Sequence, residues 1–324
     1  MPVTKRTFTK VLLASSLAFA SGISFAQAPN QARIVVGNQP GGATDIVARL
    51  LAPQFSAALG HNYVVENRSG ASGNIAADFV AKAPADGNTI LLVFNAHTTI
   101  GALFPKLPFD PIKDFSPIGL ISESPYLVVA RPNIGVNNLR ELVARAKSTK
   151  DPISAGSPGQ GTPQHLLYER MKKDNGIAVN TIHYKGSAPA QNDVMGGHVD
   201  ITLVTPSLGG SLVKSGKVSL LAVTSDARLP DYPDVPTAAE SGVDSLASSG
   251  VWLALLVPAK TPRATVMNLN KVLNDTLKSP DVLARLKAIG MTPVGGTPEA
   301  AEKRIKDEQS VWTSLIRESK ITIE

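Results

Sequence analysis

Three glycine-rich turns hold the residues of this sequence whose types and spacing could do chemistry. They are Pro40-Gly41-Gly42-Ala43-Thr44-Asp45, Asn67-Arg68-Ser69-Gly70-Ala71-Ser72-Gly73-Asn74, and Ser154-Ala155-Gly156-Ser157-Pro158-Gly159-Gln160-Gly161-Thr162-Pro163. Each joins a β-like run to a helical segment, so each offers free backbone N–H groups and the positive end of a helix dipole to an anion. Thr44 and Thr162 are placed to cap their helices, Asp45 falls in a first turn, and Pro163 suits a first helical position. The chemistry on offer is capture of an anion by neutral donors. One such turn is as readily a structural turn as a ligand site. Three of them, spread over two series of elements, point to helix starts converging on a cleft, where open α/β sheets bind ligands.

Catalytic alternatives fare worse. The histidines are His61, His97, His165, His183 and His198, with no H-x-x-x-H or H-E-x-x-H spacing, so no metal site is expected. His97, just after a buried strand, reads equally as a ligand donor and as a satisfied loop histidine. His165 reads as structural, and Asp193 and Asp200 as capping groups. There is no G-x-S-x-G elbow, no P-loop and no G-x-G-x-x-G spacing. The sequence has no cysteine, which removes thiol catalysis and thiolate metal sites. No cofactor and no enzymatic activity are expected.

The chain has 324 residues, enough for about two domains, and is 43% hydrophobic and 18% charged, which rules out a mainly disordered protein. Its 16 aromatic residues (9 Phe, 5 Tyr, 2 Trp) do not interleave with basic runs, so nucleic acid is not an expected partner. Half of the net charge of +6 comes from Lys5, Arg6 and Lys10. Those residues precede the apolar run Val11–Ala20 and then small residues, with cleavage triplets ending at Ala26 and Ala28, the order of a secretory signal. Thr4–Lys10 also resembles a twin-arginine signal with Lys in place of the first Arg. Either route predicts an exported, periplasmic protein with residues 1–26 removed. No later stretch of the sequence is long and apolar enough to span a bilayer.

The elements that must position the three turns alternate, as in α/β layers. Strands are predicted at 33–37, 62–66 and 89–94, with helices at about 46–59 and 73–82. Gly60 is suited to a C-cap, and Pro53 is expected to kink the first helix. The continuous apolar run Thr89–Phe94 predicts a strand covered on both faces. A Pro-rich loop, Phe104–Pro111, precedes a second series. That series has strands at 126–130, 152–155, 180–183, 201–204 and 219–223, with helices at 139–146 and 163–172. A loop-rich stretch, 229–251, leads to a strand at 252–257. Helices at about 262–278 and 298–318 close the chain, the second with Thr297 as cap and Pro298 at its first position.

Read in order, these segments resemble the substrate-binding proteins of tripartite tricarboxylate transporters, the Bug or TctC-like family, over residues 31–324. The motifs are Pro40-Gly41-Gly42-x-x-Asp45 with Ala48-Arg49, and Glu66-Asn67 followed by Gly70-Ala71-Ser72-Gly73-Asn74. Ala83-Pro84-Ala85-Asp86-Gly87, Leu107-Pro108-Phe109-Asp110-Pro111 and Lys113-Asp114-Phe115 continue the pattern. Gly161-Thr162-Pro163-Gln164-His165-Leu166, Tyr184-Lys185-Gly186-Ser187-Ala188-Pro189-Ala190, Val199-Asp200, Asp234-Val235-Pro236-Thr237 and Trp252 complete it.

The resemblance implies an α/β fold like that of type II periplasmic binding proteins: a two-lobe Venus flytrap, each lobe a mixed sheet flanked by helices. Residues 27–125 with 250–324 would form one lobe and 126–249 the other. A small carboxylate would lie between them. Matching positions put Gly41, Gly42, Ala43 and Thr44 near the carboxylate, with Asp45 supporting the loop. Gly161, Thr162 and His165 would face them, Tyr184, Gly186 and Ala188 would line the cleft, and Asp200 and Thr205 would sit at strand ends facing it. Asn95 and His97 follow the third strand. Many relatives carry an aromatic residue before the first loop, where this chain has Asn38-Gln39; a more polar ligand or a roomier cleft follows. Delivery to transporter membrane subunits is the implied role, with a membrane sensor kinase as the alternative partner. The expected oligomeric state is a monomer.

Overall fold

The computed structural model describes residues 31–70, 73–104 and 106–323. The expected signal segment, residues 1–26, and Ala71-Ser72 of the second turn lie outside the described residues.

Two mixed sheets organise the described residues. The first has six strands, β1 (Arg33–Val36), β2 (Val64–Asn67), β3 (Thr89–Phe94), β4 (Phe115–Pro125), β10 (Gly250–Pro258) and β11 (Thr292–Gly295), in the order β11-β4-β10-β3-β1-β2. The second has five, β5 (Leu127–Ala130), β6 (Ile153–Ser157), β7 (Val179–His183), β8 (Ile201–Val204) and β9 (Ser219–Val223), in the order β7-β6-β8-β5-β9. β1, β2 and β3 are mutually parallel, as are β6, β7 and β8, while β10 runs against both β3 and β4.

Apolar runs explain the first sheet. Along β1, β3 and β10 alternate side chains enter two different cores, as expected for strands buried on both faces. Ile34, Val36, Ile90, Leu92, Leu253 and Leu255 point to one. Val35, Leu91, Val93, Trp252, Ala254 and Leu256 point to the other. Helix α1 (Ala43–Leu59) covers the first face and α2 (Asn74–Ala81) the second. α1 continues through Pro53 to Leu59 and closes at Gly60 in the left-handed region. Leu51 and Phe55, fully buried on either side of the proline, offset the roughly 3 kcal/mol that an interior proline costs.

In the second sheet, Val128, Ala130, Ile201 and Leu203 face one core and Leu127, Val129 and Val204 the other. Its helices are α4 (Leu139–Thr149), α5 (Pro163–Asn175), α6 (Ser187–Met195) and α7 (Pro206–Lys214). The short α3 (Ile100–Leu103) follows β3 after a 3-10 turn at Asn95–Thr98.

The chain passes between the sheets at Pro125-Tyr126 and again at Ser249-Gly250. Thr224 ties the two crossings together: its hydroxyl accepts from Tyr126 N–H at 2.8 Å and donates to the Ser249 carbonyl. Gly250 is required there, because a β-carbon would lie 2.3 Å from the Ser124 carbonyl oxygen. β10 begins opposite the carboxyl end of β3, and β5 begins opposite the carboxyl end of β8. The carboxyl ends of the parallel strands in both sheets therefore lie on the side of the crossings.

Several elements differ from the expectation. β4, eleven residues long, forms where the sequence shows Pro117, Gly119 and three serines. Pairing along both edges, with β10 and β11, supplies what its composition lacks. α9 (Pro280–Ala288) and β11 intervene between the closing helices α8 (Arg263–Thr276) and α10 (Pro298–Glu318). α10 keeps its expected bounds and cap, with Thr297 Oγ1 accepting from Ala300 N–H at 3.2 Å. It serves both sheets: Ala301 and Ile305 pack under the first, and Trp312, Leu315 and Ile316 enter the core of the second.

Candidate functional site

The first turn is held rigid from within. The Asp45 carboxylate accepts from Gly41 N–H at 2.9 Å, Arg49 Nε at 3.0 Å and Asn67 Nδ2 at 3.0 Å. The Arg49 guanidinium, helped by Gly41 and Asn67, holds the Asp45 pKa down at about 2 against the effect of burial. Asn67 also donates to the Asn38 carbonyl, and the Thr44 hydroxyl reaches Asn38 Oδ1. Asp45 is thus spent on the loop and Gly41 N–H is committed to it. Gly42, at the cap of α1, supplies no side chain, so the amides of this helix start are not capped by one. Gly186 leaves the start of α6 uncapped for the same reason, and the start of α7 also lacks a side-chain cap, the Thr205 hydroxyl lying against Ser207 Oγ instead.

The third turn is built around His165. Its Nδ1 accepts from Gly161 N–H at 3.0 Å, and its ring meets His183 edge-on at 4.5 Å between centroids. Burial, reinforced by His183 and Lys172, lowers the His165 pKa to about 4, so the ring is neutral with its proton on Nε2. Thr162 caps α5, accepting from His165 N–H and donating to the Gly159 carbonyl at 2.7 Å. Gly161 has φ +74°, and a β-carbon there would stand 3.0 Å from Leu103 Cδ1 and from Ile323 Cγ2. The turn therefore approaches both the short α3 and the segment after α10.

The second and third turns meet across one cavity of about 350 Å³. Asn38 and Gln39, between β1 and the first turn, line it on one side, with Ser69 and Gly70 from the second turn and Gln160, Gly161, Thr162 and Pro163 from the third. Phe94, Thr99, Ile100, Leu103, Phe104 and Ile323 complete the wall. Among the described residues, none that lines it carries a charged side chain. A carboxylate here would be held by neutral donors and helix dipoles, with hydrocarbon packed on the apolar wall.

The expected site residues divide into three groups. Gly161 and Thr162 line the cavity, whereas Gly41–Asp45 open α1 directly beyond Gln39 without being among its lining residues. Gly186, Ala188 and Thr205 lie at or just beyond the carboxyl ends of β7 and β8; Thr205 Oγ1 is 3.0 Å from Ser207 Oγ. A second group is engaged in holding the fold. Asn95 Nδ2 donates to the Gly250 carbonyl at 2.9 Å, joining the end of β3 to a crossing. His97 is buried, with Nε2 on the Pro111 carbonyl at 2.8 Å, and burial lowers its pKa to about 4. The Tyr184 hydroxyl donates to Asp193 at 2.6 Å; desolvation, together with that carboxylate, pushes its pKa up to about 12.

Asp200 forms the third group alone, and here the expected placement is corrected. It precedes β8, at the amino end of the strand, where its carboxylate accepts from Ser154 N–H at 2.9 Å, Ser154 Oγ at 2.8 Å and Arg131 Nε at 2.9 Å. The turn at Gly161 lies at the other end of the same sheet. Burial works against ionisation of Asp200, yet the Ser154 and Arg131 bonds outweigh it and lower its pKa. The apolar wall is not legible in the sequence: Phe104 opens the Pro-rich loop, and nothing marks Ile100, Leu103 or Ile323.

The comparisons agree with this architecture. The model of the family described as "Tripartite tricarboxylate transporter family receptor" matches residues 47–321. Among solved structures, the periplasmic binding protein BugD is 35% identical, covering 90% of this chain and 99% of that one, with TM-score 0.71. A Rhodopseudomonas palustris protein solved with adipate is 32% identical, over 90% and 98% of the two chains, with TM-score 0.74. MatC of the same organism, with bound malate, is 30% identical, over 88% and 98%, with TM-score 0.71.

Proposed function

Because the chain belongs to the tripartite tricarboxylate transporter receptor family, we propose that its cleft captures a small carboxylate for hand-over to a transporter of that type. It is a two-lobe solute-binding protein and not an enzyme. The observation that carries the ligand reading is the uncharged cavity into which turns from both sheets project, beside the uncapped start of α1. The two relatives with adipate and malate hold dicarboxylates, which supports an acid of that kind. Gly42, Ala43 and Thr44 on one side, with Thr162 on the other, are the proposed contacts, while Gly41 and Gly161, whose N–H groups are held by Asp45 and His165, shape the turns beside the acid. Asp45 and His165 act through the loops they brace.

Residues from 27 to 125 and after 250 form the first lobe in this reading, and 126–249 the second. Closure bends the two crossings and brings the turns together around the acid. Export directed by residues 1–26 places the mature chain in the periplasm, as a monomer free to open and close.

The test is thermal unfolding of the chain from Gln27 onward, first unfolded and refolded to remove any co-purified acid, against di- and tricarboxylates, acidic amino acids and aromatic acids. A hundredfold excess over Kd stabilises by about 2.7 kcal/mol, a readily measured rise in Tm. A flat panel with ligand-free protein overturns the reading.

A further inference from the structure

The residues after α10 are built into the cleft. Ile321 and Ile323 pack against the core of the second sheet, which also holds Leu103 and, from α10 itself, Trp312, Leu315 and Ile316. The Gln160 side-chain amide donates to the Thr322 carbonyl, fastening this segment to the third turn. Ile323 reaches the cavity wall beside Gly161, where its Cγ2 and Leu103 Cδ1 each lie 3.0 Å from the position of a β-carbon. Phe104 packs on the same core and lines the same cavity, so Leu103, Phe104 and Ile323 form one apolar surface. The polar lining comes instead from Asn38, Gln39, Ser69, Thr99, Gln160 and Thr162.

We infer that Ile323 is a specificity-determining residue of the ligand site, which with Leu103 and Phe104 sets how much hydrocarbon the bound acid can carry. The inference rests on the cleft's being a carboxylate site. Of the three wall residues, Ile323 is the one delivered by the segment after the helix that packs under both sheets, and the only one fastened to the third turn through its neighbour's carbonyl. One methylene gained or lost against such a wall changes affinity by about tenfold or more.

The test is calorimetric titration of the refolded protein and of Ile323→Ala, Ile323→Val and Ile323→Trp, each with linear monocarboxylates from acetate to octanoate and dicarboxylates from malonate to suberate. Unliganded Tm is measured alongside. Ile323→Ala is expected to move the optimum to longer chains, with the longest acids gaining about tenfold over the unaltered protein. Ile323→Val should fall between the two. Ile323→Trp should lose at least about tenfold for the longest acids the unaltered protein accepts, while keeping the shortest. If Ile323→Trp does not fold, the Ala and Val series decides. Variants that bind every acid as the unaltered protein does, to within about twofold, overturn the inference while leaving the carboxylate site standing. An unaltered protein that binds none of these acids overturns the carboxylate reading, and this inference with it.

Discussion

The backbone N–H of Gly161 donates to Nδ1 of His165 across 3.0 Å, so a buried neutral imidazole fixes the shape of the turn that faces the cleft. His165→Ala leaves that amide without its acceptor and is expected to destabilise by about 1–3 kcal/mol and to weaken ligand binding. His165→Asn, whose Oδ1 can stand in for Nδ1, should recover much of both. Urea unfolding and calorimetry on the two variants check the pair.

The same imidazole, with His97, makes stability depend on pH. Both have native pKa values of about 4, below the 6.5 of a free histidine. The unfolded chain therefore takes up protons below pH 6.5 that the native chain refuses until about 4. The stabilisation is complete above that window and is lost as pH falls through it, with a slope approaching about 1.4 kcal/mol per pH unit per histidine. Melting curves across the window should show this decline, and His165→Asn should flatten it.

Asp45 is expected to matter although it does not line the cavity. Asp45→Asn replaces a carboxylate accepting three hydrogen bonds by a group that must turn a donor toward one of those partners. The cost is about 2–4 kcal/mol, and the first turn loosens. In the native protein this contribution is present above the free carboxyl pKa of 3.8 and is lost as pH falls toward about 2. Chemical denaturation at neutral pH measures the first effect, and ligand affinity the second.

Gly161→Ala tests the close approach of the third turn. The residue has φ +74°, and the new methyl would meet Leu103 and Ile323 at 3.0 Å. A loss of about 1–3 kcal/mol is expected, together with a fall in ligand affinity that the unfolding curve alone would not reveal.

Asp200→Ala should behave oppositely. Its bonds to Ser154 and Arg131 lie at the amino end of β8, away from the turns. A loss of about 2 kcal/mol in stability is expected with ligand affinity unchanged. A specific loss of affinity at unchanged stability would return Asp200 to the cleft.

Much of this protein is decided locally, and the sequence shows it. The runs at β1, β3 and β10 are apolar enough to be buried on both faces, and the cap-and-proline pairs Thr162-Pro163 and Thr297-Pro298 start their helices where propensity puts them. The glycine turns mark strand-to-helix junctions, the second and third of which border the cavity, because backbone freedom and a helix start are both properties of a few adjacent residues. Three features belong to the tertiary structure. β4 is a strand through its neighbours, since Pro117, Gly119 and its serines give little preference of their own. Asp200 lies at the amino end of its sheet because β8 runs parallel to β6, and strand direction is not encoded in any short motif. Ile323 reaches the cavity because α10 packs under both sheets and delivers the following residues to Gly161, a contact spanning half the chain that no local pattern could announce.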